Sequence, residues 1–464
     1  MLKQFLIIAI LSIISENLFC LAKDSEFSLV LKFNEFPGQS VKLGFSYGSK
    51  ILFKDQISLN SEGNGFYKGI EHEGIYFLQL PDSSSFEFMI TQAGYYTILS
   101  KDKKIFIQGN SACESYNKYL LFITKSSHLI DSLKRSSETT DNPDLLRNQQ
   151  LKISAYKASV DSMTFELFEK HKGSLLGNYA KALLPVGYME NRTSMSSHIP
   201  DSGNFLKSIY SYKKHYFDNI TFNDSRLIYT PVLENKINTY LDRMLYPSAD
   251  SICVAIDTIL AKTHTEEITQ FIATLLLRKY SQQKNNETGE LVYFHLLKDF
   301  YLLGKAPWLS SREMQLMNEE VKRIEPTLTG KKALEIILPD AKGKNCSLYD
   351  IHKEITIIVF WDYSCPNCRR ILQELINVTK KYHYLDLQVY SIYTGSDVDV
   401  WKAWNYKKLP DSWINTYQDP SNPVSTQYNI NFMPTLFVLD KNKIIMRKEI
   451  TVPQLDEYLF LYAK

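Results

Sequence analysis

The first hundred residues alternate apolar and polar positions in short runs. From about Ser25 to Gln108, clusters of Gly, Asn, Asp and Ser separate the runs FSLVLKF, KLGFSYG, KILFKDQISL, GIYFLQL, FEFMI and YYTIL. A period of two is the pattern of a strand with one buried face, and many short strands at this spacing are typical of a sandwich or small barrel. The pattern predicts an N-terminal antiparallel β-sandwich-like domain over residues 23–110.

The spacing of apolar residues changes to three and four positions after Ser111. Segments such as ESYNKYLLFITKSSHLIDSLKR, NKINTYLDRMLYPS and ITQFIATLLLRKYSQQ show this period, which is that of amphipathic helices. Turn clusters around Asn191 to Asn204 and near Pro307 interrupt the helical pattern. The pattern predicts a helical middle domain over residues 111–324, whose scattered histidines receive no role.

Predicted strands and helices alternate in the last part of the chain. The run ITIIVFW is continuously β-branched and aromatic, which is typical of a strand buried on both faces. CPNCRRILQELINVTKKY follows as an amphipathic helix, and DLQVYSIY, TLFVL and IIMRKEI are further strands before a final helix from Pro453. This order predicts an α/β sandwich over residues 325–464, so the whole chain is expected to be a multidomain α+β protein.

Length, composition and charge describe a globular protein of several domains. The chain has 464 residues, of which 44% are hydrophobic and 22% are charged. That length exceeds one ordinary domain, and that composition is not the composition of a disordered chain. The formal net charge of +2 lacks the basic excess of a nucleic-acid binder, so we expect no nucleic-acid partner.

The first residues, MLKQFLIIAILSIISENLFCLAKD, have the layout of a secretory signal peptide over residues 1–22, with cleavage after Ala22. The apolar core from Phe5 to Ile14 is too short to cross a bilayer, which takes about 20 residues. We therefore expect export to the periplasm or cell envelope. Lipid attachment at Cys20 is the alternative, although the bulky Phe19 in front of it is atypical.

The cysteines do not form a disulfide scaffold. There are six of them: Cys20, Cys113, Cys253, Cys346, Cys365 and Cys368. Removal of Cys20 with the signal peptide leaves an odd number, so at least one thiol has no partner in the monomer. Cys113 and Cys253 either pair or are inert thiols, and Cys346 is either a third redox thiol or a small buried hydrophobic residue.

The pair Cys365 and Cys368, in the stretch WDYSCPNCRR, lies where a buried strand gives way to a helix. A thiolate at a helix N-terminus meets unsatisfied backbone N–H groups and the positive end of the helix dipole, which favour the ionised form. Cys365 is placed to benefit and to be exposed. Cys368 lies one turn further along, within reach of a mixed disulfide formed on Cys365.

These features resemble the thioredoxin superfamily, in particular the exported TlpA/ResA-like thiol–disulfide oxidoreductases and their AhpC/TSA-like relatives. The resemblance covers roughly the last 130 residues and rests on three pieces in the same order: the strand ending in Phe360 and Trp361, the CPNC motif, and NFMPTLFVLD with Pro434 before a strand. The expected fold of residues 325–464 is therefore a thioredoxin-like α/β domain.

The resemblance implies an enzyme that exchanges thiols and disulfides. Cys365 and Cys368 would be the catalytic residues, and the Met433–Pro434 bond would be cis. The residues implied to bind the substrate are Trp361, Met433, Pro434 and Thr435. The implied partners are protein disulfides or dithiols and a membrane electron donor, and no cofactor or metal is assigned.

The sequence departs from the family pattern at two positions, one within the buried strand and one after it. Ser364 stands where the family usually has Trp before the first cysteine, and Val359 stands where cytoplasmic thioredoxins hold a buried Asp. The proton acceptor for Cys368 is therefore unassigned. Asp362 is the nearest carboxylate in the sequence, and we interpret it as a solvated loop residue.

Other functions remain open from the residues alone. A zinc site needs four ligands, and the single Cys-x-x-Cys supplies two. A structural disulfide across so small a loop would add little stability. A thiol peroxidase normally has Thr or Ser three residues before its reactive cysteine, where this chain has Asp362. A further alternative is a binding or scaffold envelope protein with a vestigial thioredoxin-like domain.

Overall fold

The structure is a computed structural model of a mixed α/β protein, and it describes residues 25–101, 104–188, 205–284, 286–419, 421 and 423–463. The predicted signal peptide, with Cys20, lies outside the described residues. The chain forms two compact units, which comprise residues 25–247 with Val254–Leu275, and Ser248–Cys253 with Leu276–Lys464. The second unit therefore includes helices that the sequence assigned to the middle domain, and the predicted domain limits stay a prediction.

Two four-stranded sheets open the first unit. The strands are β1 Ser25–Lys32, β2 Ser40–Tyr47, β3 Lys50–Ser58, β4 Asn64–Glu71, β5 Gly74–Gln79, β6 Ser85–Ile90, β7 Gly94–Lys101 and β8 Lys104–Gln108. Their orders are β4-β1-β7-β8 and β3-β2-β5-β6. Apolar side chains of both sheets, such as Leu29 and Leu43, belong to one buried core, which is why alternating positions along the strands are apolar.

The prediction of a fully antiparallel N-terminal domain is wrong for one pair of strands. β1 and β7 run parallel, with Phe27 opposite Gly94. The connection between them contains five further strands and is long enough to bring the chain back in the same direction. The runs predicted from alternation also omit β4 and β8. Gly65 and Gly69 weaken the strand pattern of β4, which is held by antiparallel pairing with β1.

Helices follow the sheets. They are α1 Ser111–Glu138, α2 Pro143–Lys170, α3 Leu175–Leu183, α4 Phe205–Lys214, α5 Val232–Arg243, α6 Ala249–Ala261, α7 Glu266–Ser281, α8 Glu287–His295 and α9 Ser311–Ile324, with a π-helix at Leu296–Lys305 and 3-10 turns at Ser225–Tyr229 and Glu325–Thr327. Side-chain caps fix several helix starts. Ser310 and Glu313, for example, form a reciprocal capping box at α9. No helix within the described ranges is both long and apolar enough to cross a membrane.

The C-terminal part of the second unit is built around a five-stranded sheet. Its elements are the hairpin β9 Ile337–Pro339 and β10 Asn345–Ser347, then β11 Ile355–Trp361, α10 Pro366–Lys381, β12 Leu387–Tyr393, α11 Val398–Lys408, β13 Ile414–Tyr417, α12 Val424–Gln427, β14 Thr435–Asp440, β15 Ile445–Lys448 and α13 Val452–Tyr462. The sheet order is β13-β12-β11-β14-β15. Strands β11, β12 and β13 are parallel, and β14 and β15 are antiparallel.

The central strand β11 positions the CPNC motif. All seven of its residues are buried, as the continuous apolar run predicts. Its side chains alternate between two cores: Ile357 and Val359 pack with α10 and α13, whereas Ile358 and Phe360 pack on the opposite face of the sheet. The end of β11 is therefore fixed from both sides, and α10 begins shortly after it.

A buried ion pair joins α8 to the C-terminal sheet within the second unit. Lys448 Nζ on β15 lies 2.8 Å from Glu290 Oε1, and the two side chains are only 6% and 9% exposed. Burial raises the pKa of Glu290, and the attraction of Lys448 opposes that rise. Removing one partner would leave the other as an uncompensated buried charge, which is costly in a protein interior.

We therefore expect Lys448→Met to lower the free energy of unfolding of the second unit by about 3–5 kcal/mol. All five tryptophans lie between residues 308 and 413, so tryptophan fluorescence during urea denaturation reports this unit alone. Lys381→Met is the matched control, because Lys381 pairs with Asp456 on the surface and exposed pairs contribute little. Equal effects of the two substitutions would contradict the role given to the buried pair.

Candidate active site

A tight turn connects β11 to α10. The Asp362 carboxylate accepts hydrogen bonds from the backbone N–H and the hydroxyl of Ser364, both at 2.7 Å. The backbone N–H of Cys365 donates to the Asp362 carbonyl oxygen at 3.3 Å. Asp362 thus shapes the turn, which agrees with its interpretation as a loop residue, and the turn delivers Cys365 to the helix N-terminus.

Cys365 is the N-cap of α10, and its sulfur takes the place of a capping oxygen. The backbone N–H of Cys368 donates to Cys365 Sγ at 3.3 Å. Pro366 follows at the first helical position, where no N–H is needed. Cys365 Sγ therefore lies against the N–H groups that open α10. The side chain is partly exposed, so a substrate can reach it.

Cys368 has the opposite environment. Its side chain has no exposed surface and belongs to the core between the sheet and α10. Burial raises the pKa of the Cys368 thiol to about 12, and the charge of Asp362 acts in the same direction. Val359, at the position where cytoplasmic thioredoxins carry an Asp, is fully buried and offers no proton acceptor. Of the two sulfurs, only that of Cys365 is partly exposed to solvent.

The loop before β14 closes the other side of the site. The Met433–Pro434 bond is cis, which confirms the expectation drawn from the resemblance. Met433 places its carbonyl oxygen 3.6 Å from Cys365 Sγ, whose S–H donates to it. Met433 and Pro434 are both partly exposed. The fold thus brings together Cys365, Cys368, Met433 and Pro434 from two separate parts of the sequence.

Two of the residues predicted to bind the substrate have buried side chains. Trp361 has no exposed surface, and its indole Nε1 donates to Ser391 Oγ at 2.9 Å inside the domain. Thr435 is 1% exposed, and its hydroxyl donates to the Phe432 carbonyl oxygen. Neither side chain can touch a substrate in this state, because each packs into the core beneath the site. Both support the residues that are exposed.

Sequence reasoning missed two residues beside the cysteines. Thr394 Oγ1 lies 3.0 Å from the Trp361 carbonyl oxygen and 2.8 Å from Met433 Sδ, so it links the end of β11 to the cis-proline loop. Its position directly after β12 was an available signal, since the carboxyl ends of neighbouring parallel strands meet at one edge of a sheet. Phe432, which is 51% exposed next to Met433, is the second.

Three further cysteines lie among the described residues. Cys113 is a fully buried free thiol whose pKa burial raises to about 12, as expected for an inert residue. Cys253 is partly exposed on α6. Cys346 packs on the core of the opposite sheet face from Cys368, so the structure does not bring it to the redox pair. Among the described residues, no three His, Cys, Asp or Glu side chains are grouped to hold a metal ion.

Two family models match the chain. Residues 329–448 match the AhpC/TSA family, and residues 194–325 match a domain of unknown function, DUF5106. The first match covers the buried strand, both cysteines and the cis-proline loop. It confirms the resemblance that the CPNC motif and its neighbours predicted.

Several similar proteins are named as thiol–disulfide or thioredoxin-like proteins. The thiol-disulfide oxidoreductase ResA of Bacillus thuringiensis subsp. konkukian is 26% identical over 133 residues, which are 28% of this chain and 76% of that protein. A domain of a possible thiol-disulfide isomerase from Cytophaga hutchinsonii is 32% identical, covering 30% of this chain and 95% of that domain, with a TM-score of 0.28. A thioredoxin-like protein from Bacteroides caccae is 22% identical, covering 58% of this chain and 97% of that one, with a TM-score of 0.45.

The contrast between the two sulfurs predicts selective alkylation of the reduced protein. At pH 8, a thiol with a pKa of about 12 is ionised in roughly one molecule in ten thousand, and Cys368 is also shielded from solvent. We expect iodoacetamide to modify Cys365 at least tenfold faster than Cys368, as followed by mass spectrometry of the peptides. Faster modification of Cys368 in the folded protein would contradict the assigned order of attack.

Proposed function

We propose that this chain, whose C-terminal domain is thioredoxin-like and related to the AhpC/TSA family, is a thiol–disulfide oxidoreductase that acts through Cys365 and Cys368. The observation that carries the proposal is the hydrogen bond from the Cys368 backbone N–H to Cys365 Sγ at the start of α10. It places one partly exposed sulfur at the helix start, one helical turn from a second sulfur that is shielded from solvent. A structural disulfide requires neither property.

The reaction begins with the reduced pair. The Cys365 thiolate attacks one sulfur of a substrate disulfide, a new S–S bond joins Cys365 to the substrate, and the other substrate sulfur leaves as a thiolate that takes up a proton. Met433 and Pro434 lie beside Cys365 Sγ, and we propose that their exposed backbone aligns the substrate peptide. In this proposal the buried side chains of Trp361 and Thr435 do not touch the substrate, but fix the end of β11 and the start of β14.

The second step releases the substrate. Cys368 loses its proton and attacks Cys365 Sγ, which forms the Cys365–Cys368 disulfide and frees the second substrate sulfur as a thiol. Two electrons pass from the cysteine pair to the substrate disulfide. The same steps in reverse oxidise a substrate dithiol. Because the raised pKa of Cys368 opposes its ionisation, we expect the proton to leave only once the mixed disulfide has formed.

The proposed substrates are protein disulfides or dithiols of the cell envelope. The envelope location rests on the apolar segment near the N-terminus, and a membrane electron donor would re-reduce the pair if the physiological reaction is reduction. An oxidising compartment is also the setting in which such exchange is needed. The residues between the cysteines tune the reduction potential, and with it the direction of electron flow.

Substitution of single cysteines tests the proposal. We expect Cys365→Ser to abolish the protein's catalysis of insulin reduction by dithiothreitol, because the substitution removes the attacking sulfur.

We expect Cys368→Ser to accumulate a mixed disulfide with the substrate, visible on a non-reducing gel, because no second sulfur is left to resolve it. Cys346→Ser is the matched control and should keep full activity. Insulin reduction that survives Cys365→Ser would refute the assignment and favour a binding protein with a vestigial domain.

A further inference from the structure

The loop that carries Met433 and Pro434 begins at Asn429, directly after α12. Asn429 has a φ of +53°, a left-handed conformation that Asn tolerates better than most residues, and it is 7% exposed. Its backbone N–H donates to the Thr426 carbonyl oxygen at 3.1 Å, which ends the helix. The placement of Asn429 therefore sets the direction in which the loop leaves α12 toward the active site.

A residue of α9 holds the Asn429 side chain. The Arg323 guanidinium donates from Nη1 to Asn429 Oδ1. The same guanidinium donates from Nε to Glu320 Oε2 at 3.0 Å, and from Nη2 to that oxygen. A planar guanidinium tied at three nitrogens has a fixed orientation, in contrast to a single lysine ammonium. The position of α9 is thereby transmitted to the start of the loop.

Glu320 anchors this arrangement. It is 1% exposed, and Lys284 Nζ lies 3.0 Å from its second oxygen. Burial alone would raise the pKa of Glu320, but Lys284 and Arg323 together outweigh burial and hold the pKa below its usual value. The carboxylate therefore stays charged between two cations, and it keeps Arg323 directed at Asn429.

The loop depends on these polar contacts because packing on this side is incomplete. A cavity of about 180 Å³ lies between the loop and the helices, and its lining includes Lys284, Arg323, Asn429, Asn431 and Phe432. A cavity removes the van der Waals contacts that would otherwise fix a loop from behind. The hydrogen bond to Asn429 is thus a directional restraint on the side of the loop that faces this cavity, whereas Tyr428 and Ile430 pack on the core of the sheet.

We propose that Arg323 and Glu320 are positioning residues for the active site, which hold Asn429 and through it set the place of Phe432 and Met433 against a bound substrate. The inference rests on the proposed function and deepens it. It gives the last helix of the segment matched by a domain of unknown function, residues 194–325, a part in substrate binding.

Loss of the contact between Arg323 and Asn429 is expected to weaken substrate binding more than it slows the reaction of the sulfur atoms. Cys365 Sγ accepts a hydrogen bond from the backbone N–H of Cys368 in α10, and Arg323 and Glu320 take no part in that contact. A displaced cis-proline loop would instead misalign the peptide before reaction. The KM for a protein substrate should rise while kcat changes little, and the reactivity of Cys365 toward a small alkylating reagent should stay the same.

Variants at Asn429 and Arg323 test this in the full chain. Asn429→Gly keeps the positive φ at no steric cost and removes the acceptor, and Arg323→Met removes the donor. Asn429→Asp is the matched control, because its carboxylate can still accept from Arg323. We expect the KM for fluorophore-labelled insulin to rise about five- to tenfold in the first two variants, with kcat within twofold of wild type. Asn429→Asp should behave as wild type.

Hydrogen–deuterium exchange of residues 429–435 gives a readout that needs no activity. Exchange should be faster in Asn429→Gly and Arg323→Met and unchanged in Asn429→Asp. Unchanged exchange in the first two variants would overturn the inference, as would a parallel loss of kcat and of Cys365 alkylation. If the wild-type protein cannot reduce insulin, the proposed function is wrong. The rates of hydrogen–deuterium exchange would still decide whether Arg323 positions the loop.

Discussion

The hydrogen bond between the Cys368 backbone N–H and Cys365 Sγ is the contact on which the active site depends. It exists because β11, buried on both faces, ends at a fixed point and a short turn leads to the start of α10 five residues later. The same geometry separates the two sulfurs by environment. One caps the helix at the surface, and the other lies inside the core, where burial keeps it protonated. The two-step exchange that we propose depends on that asymmetry.

Other contacts of the second unit hold the cis-proline loop and the helices before the C-terminal domain in place. Thr394 links the end of β11 to Met433, so the helix N-terminus and the cis-proline loop share a support. The ion pair of Glu290 with Lys448 and the contact of Arg323 with Asn429 tie α8 and α9 to the same domain. These helices precede the domain in sequence and belong to its compact unit.

The sequence predicted those features of the molecule that depend on residues close together in the chain. The continuous apolar run predicted β11, and the order of strand and helix predicted that Cys365 and Cys368 lie at a helix start, while the cis bond before Pro434 came from the resemblance. The parallel pairing of β1 and β7 was missed because pairing direction depends on the path of the chain. Trp361 was given a substrate-binding side chain because sequence does not show burial. Arg323 and Asn429 are 106 residues apart, so only the fold reveals their contact.

The central claim is that Cys365 and Cys368 form one reversible redox pair. Its most direct test is a redox titration of the full chain in dithiothreitol buffers, with alkylation of free thiols and mass spectrometry of the peptide that contains both cysteines. The account predicts a single two-electron transition in which that peptide loses two hydrogen atoms and regains them on reduction. Oxidation of either sulfur to a different partner, or no disulfide at any potential, would contradict it.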